Sequence, residues 1–451
     1  MKRRISLLLI LAPALIAPAA PVGARDIFSE DLSAGITGLE AAAAPASVSS
    51  VVNALAAKPP SAVEREWLVL VYLNGRNDLA QAAIADVNEL EMVGSTDKVA
   101  VTAELGLLND RGNSVRYYIR KDTTAGALNR TGAIVSPRVD VPGADMGSWK
   151  HFADFAKWSY KNYPARKVLV VLWGHGSGRL DSGADNTGSE LGIAYDDLTR
   201  NFIRNRQLGM ALKEIELGIG KKIDVYASDS CLMQMASVVY EIKDSAELIV
   251  GSEERIPGAG FPYNDILSTL LADPGISPEA LSSAMVNDFA AYYDTNQDNV
   301  TLSSIRAAAL PEFVRLLNDW VRAAAVPEHR EKILQAGEEA LSFEYRYNGN
   351  DNSFKARSKD LYDLVDAAGK KTDDGSALRA KGDVLKSFIT EKLVVSNNIS
   401  WFDDAYDRAK GVAVYFPKLI YDPSYDENMF SRDSLWDDFL KWKLDASYGI
   451  K

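Results

Sequence analysis

Cys231 is the only cysteine in the chain, and it ends a distinctive stretch. An apolar run (Ile223, Val225, Tyr226, Ala227) leads into Ser228-Asp229-Ser230-Cys231, and Leu232, Met235, Val239 and Ile242 follow at helical spacing. This predicts a strand, a sharp turn and a helix, with the thiol at the turn. There the helix dipole and its unpaired N–H groups would favour thiolate over thiol. A second apolar run, Val168 to Trp173, predicts a strand buried on both faces of a parallel sheet, and it ends in Gly174-His175-Gly176. Ligands of open α/β sheets bind at the carboxyl ends of the strands. Two such strands in one sheet would set His175 beside Cys231, a cysteine nucleophile with its base. The Gly176 and Cys231 N–H groups are then candidates to hold an oxyanion. Asp229, two residues before the thiol, points by strand alternation to the same side as Cys231. It is either a helix cap or the acidic floor of a pocket that reads a basic side chain.

The surrounding elements must bring those two turns together. Trp67 to Leu73 reads as a buried strand, turned by Asn74-Gly75, with Asn77 or Asp78 capping a helix to about Met92. Val99–Leu105 and Val115–Arg120 read as strands, the latter of hairpin type, and Ser148–Asn162 as a helix. Residues 177–207 form a long polar stretch before a helix over Leu208–Leu217. From Ala246 a further buried strand runs into an acidic, glycine- and proline-rich loop reaching Tyr263. Helical segments dominate from Pro311 to about Phe388. A late strand at Gly411–Pro417 and an amphipathic helix over Ser434–Leu444 complete the chain. The alternation indicates a parallel or mixed sheet covered by helices on both faces.

Bulk properties narrow the chemistry. The 451 residues are 47% hydrophobic and 25% charged, ordinary for a soluble globular chain. The net charge is −12, and losing residues 1–24 removes Lys2, Arg3 and Arg4 but no acid, leaving −15. That excess argues against nucleic acid and anionic membrane and favours basic substrates. Lys2-Arg3-Arg4, the apolar Ile5–Ala17 and Val22-Gly23-Ala24 form a cleavable signal peptide, so export to a periplasm or beyond the cell is expected, without a membrane anchor. Residues 25–65, rich in alanine and proline, read as a flexible leader or pro-segment. A sole cysteine in an exported chain is an inert buried thiol, an intermolecular bridge or a reactive group; the matched His175 favours the last. Three histidines and one cysteine argue against a structural zinc site, and no phosphate-binding loop or Gly-x-Ser-x-Gly motif occurs. His151 and His329 read as surface residues.

Residues 66–267 resemble the clostripain family of cysteine peptidases, in the caspase-like group. The likeness is carried by the apolar block before His175-Gly176, the block before Asp229-Ser230-Cys231-Leu232-Met233, and Gly251–Tyr263. Thr301-Leu-Ser-Ser and Gly411–Pro417 extend it. It implies a caspase-like α/β/α sandwich with a mostly parallel central sheet and a C-terminal α+β extension. The catalytic domain would span 66–305, with a mainly helical region, 306–451, packed on it. It further implies a His175–Cys231 dyad and cleavage of peptides or proteins after Arg or Lys, with Asp229 in the specificity pocket. Self-processing would occur between the two catalytic residues, at Arg179, Arg200, Arg204 or Arg206, giving a monomer or a self-cleaved two-chain form. No cofactor is needed for that chemistry. Calcium is a family possibility, for which Asp181, Asp185, Glu190, Asp196 and Asp197 could supply oxygens. Ser230, Ser237 and Arg306 depart from the family pattern, and Glu253, Glu254 and Asp265 are the available acids for a second pocket position. The alternatives are a silent module binding basic peptides and a peptide-ligating transpeptidase.

Overall fold

Strand β1 (Arg65–Gly75) shows why this chain builds a sheet buried on both sides. Its odd-numbered residues Trp67, Val69, Val71 and Leu73 join one apolar core, and Leu68, Leu70 and Tyr72 join another. The structure is a computed structural model and describes residues 65–124, 133–179, 192–296, 299–343, 358–400 and 404–450. The expected signal peptide, and the expected leader except for Arg65, lie outside these residues.

β2 (Val99–Leu107), β3 (Ser114–Tyr118), β4 (Arg138–Val141), β5 (Ala165–Trp173), β6 (Ile193–Asp196), β7 (Asn201–Ile203), β8 (Ile223–Asp229), β9 (Ala246–Gly251), β10 (Val300–Arg306) and β13 (Val394–Ser400) follow, with the short β11 (Ser342–Phe343), β12 (Ser358–Asp360) and β14 (Ala413–Tyr415) in a sheet of their own. The central sheet runs β13-β10-β9-β8-β5-β1-β2-β3-β4. Its middle, β9-β8-β5-β1-β2, is parallel, and the outer pairings are antiparallel. Registers align the carboxyl ends of three neighbours: Leu73 pairs with Trp173, and Trp173 with Asp229. The loops leaving β1, β5 and β8 therefore emerge side by side.

Helices cover both faces. Ala80–Val93, Tyr263–Ala272 and Pro278–Asn296 pack on the face of Trp67, Trp173 and Ala227. Trp149–Asn162, started by the Ser148 side chain, Asn205–Ile219 and Ala236–Ile242 pack on the other. Apolar residues of Leu310–Ala324, Leu361–Lys370 and Trp436–Leu444 continue that second core. β13 pairs with β10 in the central sheet, so the chain beyond Arg306 completes the sheet that the earlier strands begin.

The polar stretch 177–207 contains structure that its composition conceals. β6 and β7 make a small antiparallel hairpin within it. The buried ion pair of Arg76 with Asp196, 3.0 Å, ties that hairpin to the end of β1. Residues 180–191 lie outside the described chain.

Candidate active site

The β5 and β8 loops touch through a glycine. Gly174 N–H donates to the Asp229 carbonyl at 3.2 Å, extending the pairing beyond the strands. A β-carbon at Gly176 would stand 2.5 Å from the Cys231 carbonyl oxygen, 2.9 Å from Ser230 Cβ and 3.1 Å from Cys231 N. Only glycine lets the backbones approach so closely. His175 and Cys231 consequently border one cavity of about 600 Å³, together with Asp78, Trp173, Asp229, Ser230, Glu254–Gly258, Gly260, Asn299 and Tyr406.

The imidazole is oriented by a residue whose sequence reading was different. His175 Nε2 lies 2.6 Å from Asp78 Oδ1, and the side chains are 40% and 80% exposed. With a carboxylate at Nε2 the neutral ring keeps its proton there, leaving Nδ1 as the basic nitrogen. Asp78 does not cap the helix that follows. That helix starts after Leu79 without a side-chain cap, and Asn77 Oδ1 accepts the Leu79 N–H at 3.0 Å. The signal available in sequence was position: Asp78 follows β1, and β1 neighbours β5.

The thiol environment corrects a second expectation. β8 ends at Asp229, residues 230–235 turn, with Leu232 at φ 65°, and the helix begins only at Ala236. Cys231 therefore does not sit on a helix N-terminus, and strand alternation does not reach it. Its Sγ instead accepts the Ile256 N–H at 3.4 Å. Burial pushes the thiol up, the Ile256 N–H and the Arg255 cation oppose that push, and Glu254 and Asp229 add to it. Leu232 N–H donates to the Glu254 carbonyl and Gln234 N–H to the Ser252 carbonyl, lacing the turn to the loop after β9. Among the described residues, neither Gly176 N–H nor Cys231 N–H is bonded to a protein acceptor.

Asp229 opens on the same cavity but is itself buried. Its Oδ2 accepts the Phe261 N–H and the Tyr263 hydroxyl, each at 2.9 Å. Burial raises its carboxyl to about 7, against the pull of those two donors. Of the three other acids proposed for the pocket, only Glu254 lines it, accepting from Tyr406 OH at 2.7 Å. Glu253 turns away, accepting the Gly411 N–H at 3.0 Å, and Asp265 is exposed on its helix. Asp86, which sequence reasoning did not single out, is buried on the helix Ala80–Val93 and accepts the Trp173 Nε1–H at 2.7 Å.

The remaining candidates separate. Arg179 is buried, 3.2 Å from Asp422, with its guanidinium 3.5 Å above the Tyr415 ring. So held, its side chain is buried, unlike those of the other three processing candidates. Arg200, at φ 60° in the β6–β7 turn, and Arg204 and Arg206, at the start of the helix Asn205–Ile219, are exposed. Asp196 is buried and paired with Arg76. Asp197 is half-buried, while Asp181, Asp185 and Glu190 lie outside the described residues. No group of three or more His, Cys, Asp or Glu among the described residues is placed to hold a metal. His151 is not a plain surface residue but pairs with buried Glu104 at 2.6 Å.

The sequence matches the model of the clostripain family over residues 71–442. No curated protein matches it. Similar solved structures include a secreted C11 cysteine protease from Bacteroides thetaiotaomicron in complex with an irreversible peptide inhibitor. Its TM-score is 0.58 at 20% identity, over 84% of this chain and 99% of that one. An inactive zymogen C11 protease from Parabacteroides distasonis gives 0.59 at 18% identity, over 82% and 98%. A secreted C11 cysteine protease of B. thetaiotaomicron called iotapain gives 0.56 at 12%, over 83% and 100%. At these identities the structures speak for the fold alone. No helix among the described residues is long and apolar enough to cross a membrane.

Proposed function

The chain belongs to the clostripain family and is a cysteine peptidase, and on that premise we propose that it is an exported endopeptidase cleaving after Arg or Lys through Cys231 and His175. The observation that carries this reading is the packing of Gly176 on Cys231, which gives the imidazole and the thiol a common cavity.

In the proposed reaction His175 takes the thiol proton as Cys231 Sγ bonds to the scissile carbonyl carbon. The oxyanion that forms accepts from the Gly176 and Cys231 N–H groups, a contribution of about 3 kcal/mol per donor in comparable sites. Collapse breaks the C–N bond, and His175 passes the proton to the departing amine. A water, deprotonated by the same ring, then cleaves the thioester, releasing the carboxylate and restoring the thiol. Asp78 holds the ring in the required tautomer. Asp229 receives the basic side chain, and the raised thiol explains why a nearby base is needed rather than a standing thiolate. Self-processing, in this reading, falls at Arg200, Arg204 or Arg206.

Mass spectrometry of purified wild-type and Cys231→Ala protein, before and after incubation with a peptide library, tests this directly. Cuts after Arg or Lys are expected from the wild type and none from the variant. Equal cutting by both would remove Cys231 from the chemistry.

A further inference from the structure

A second carboxylate lies behind the cavity wall, close to the one that sequence pointed to. A β-carbon at Gly260 would meet Asp229 Oδ2 at 2.9 Å, Asp86 Oδ2 at 3.2 Å and Trp173 Nε1 at 3.3 Å. Those contacts share one point, so the two carboxylate oxygens are at most 6.1 Å apart. They come from distant parts of the chain: Asp229 from the end of β8, Asp86 from the helix Ala80–Val93. Gly260 and Trp173 line the cavity with Asp229, while Asp86 lies just behind them. The Phe261 N–H and the Tyr263 hydroxyl donate to Asp229, and the Trp173 indole N–H donates to Asp86. Burial raises the Tyr263 hydroxyl, and Asp229 and Asp86 each add to that push. Gly260, at φ 64°, packs so closely on both acids and on the Trp173 indole that a side chain there would collide with them.

We propose that Asp86 is a specificity-determining residue: with Asp229 it forms a two-carboxylate floor that draws a cationic side chain into the cavity past Gly260. This rests on the reading of the cavity as the pocket for a basic residue. Asp229 makes the contact, and Asp86 acts across the gap as a second negative charge. In a water-excluded site two charges about 6 Å apart still interact strongly. The discrimination of a cation from a neutral side chain of the same shape should therefore change roughly 10- to 100-fold when that charge is removed.

The test uses matched peptide substrates with arginine or citrulline, its uncharged isostere, before the scissile bond. Asp86→Asn keeps an acceptor for the Trp173 indole but removes the charge. Its kcat/KM for the arginine substrate should fall roughly 10- to 100-fold, through KM, while citrulline changes less than about threefold. Asp86→Glu, which keeps the charge, should retain the wild-type arginine preference even if its packing and Tm suffer. Equal losses on both substrates in Asp86→Asn, or lost preference in Asp86→Glu, would make Asp86 a structural prop for Trp173 and overturn the inference. A wild-type enzyme that cuts both substrates equally would overturn the basic-pocket reading itself, and this inference with it.

Discussion

Gly176→Ala probes the contact on which the site depends. The added methyl would sit 2.5 Å from the Cys231 carbonyl oxygen, a separation real β-carbons do not show. Moving that contact out to between 3.0 and 3.4 Å parts the two loops by 0.5 to 0.9 Å. The shift separates the loops that carry His175 and Cys231, and with them the two N–H groups assigned to the oxyanion. A misplacement of about 1 Å costs on the order of 100-fold in rate, so kcat should fall roughly 10- to 100-fold. That corresponds to about 1.4 to 2.7 kcal/mol in the barrier. The floor at Asp229 is untouched, and KM should move by less than about threefold. Gly258→Ala is the matched control: it lies on the same cavity wall, and a β-carbon there meets nothing within 4 Å. The assay is steady-state hydrolysis of an arginine peptide, with Tm and the rate of thiol alkylation by a small reagent alongside. A Gly176→Ala enzyme with kcat within about threefold of wild type, and folded, would refute the reasoning that these loops set the catalytic distance.

Asp78→Ala should lower kcat about tenfold or more while leaving thiol alkylation largely intact, because it frees the ring without touching the sulfur; unchanged kcat would make Asp78 a bystander. With Asp229 raised to about 7 by burial, that carboxyl is neutral at lower pH and charged above it. KM for arginine substrates should therefore fall as pH rises through about 7, while KM for citrulline substrates stays flat; parallel profiles would dissociate Asp229 from substrate charge. Burial raises Asp360 to about 7 and Glu253, bonded to it, well above the usual carboxylate range. The folded chain holds protons that the unfolded chain has released, so this pair's contribution to stability is fully present below about 3.8 and is lost as pH rises through about 7. Urea midpoints measured across that range should decline for the wild type and decline less for Asp360→Asn, which keeps the cap on the Asp363 N–H; an unchanged slope would show that the pair does not titrate in this window.

Local pattern determined much of this protein. Runs such as Trp67–Leu73 and Val168–Trp173 have one low-energy use, a strand buried on both faces, and glycine beside His175 marks where a backbone must come close. The thiol, the imidazole and Asp229 were legible because each sits at the end of such a run, and the sheet did place those ends in register. The helix expected directly at Cys231 was not, because Leu232, Met233 and Met235 are apolar for another reason. They fill the second core and lace to the loop after β9, so helical spacing there reports burial rather than helix. The β6–β7 hairpin was hidden for the converse reason: its polar residues are buried through the Arg76–Asp196 pair, a contact between segments far apart in the chain. Asp78 and Asp86 belong to the same class. Nothing within a few residues of either one specifies a neighbour, since each meets its partner only after β1, β5 and β8 have been ordered and the helix Ala80–Val93 laid across them. Strand periodicity is written in adjacent letters, whereas the company a carboxylate keeps is settled by which strands pair, and that depends on the free energy of the whole core.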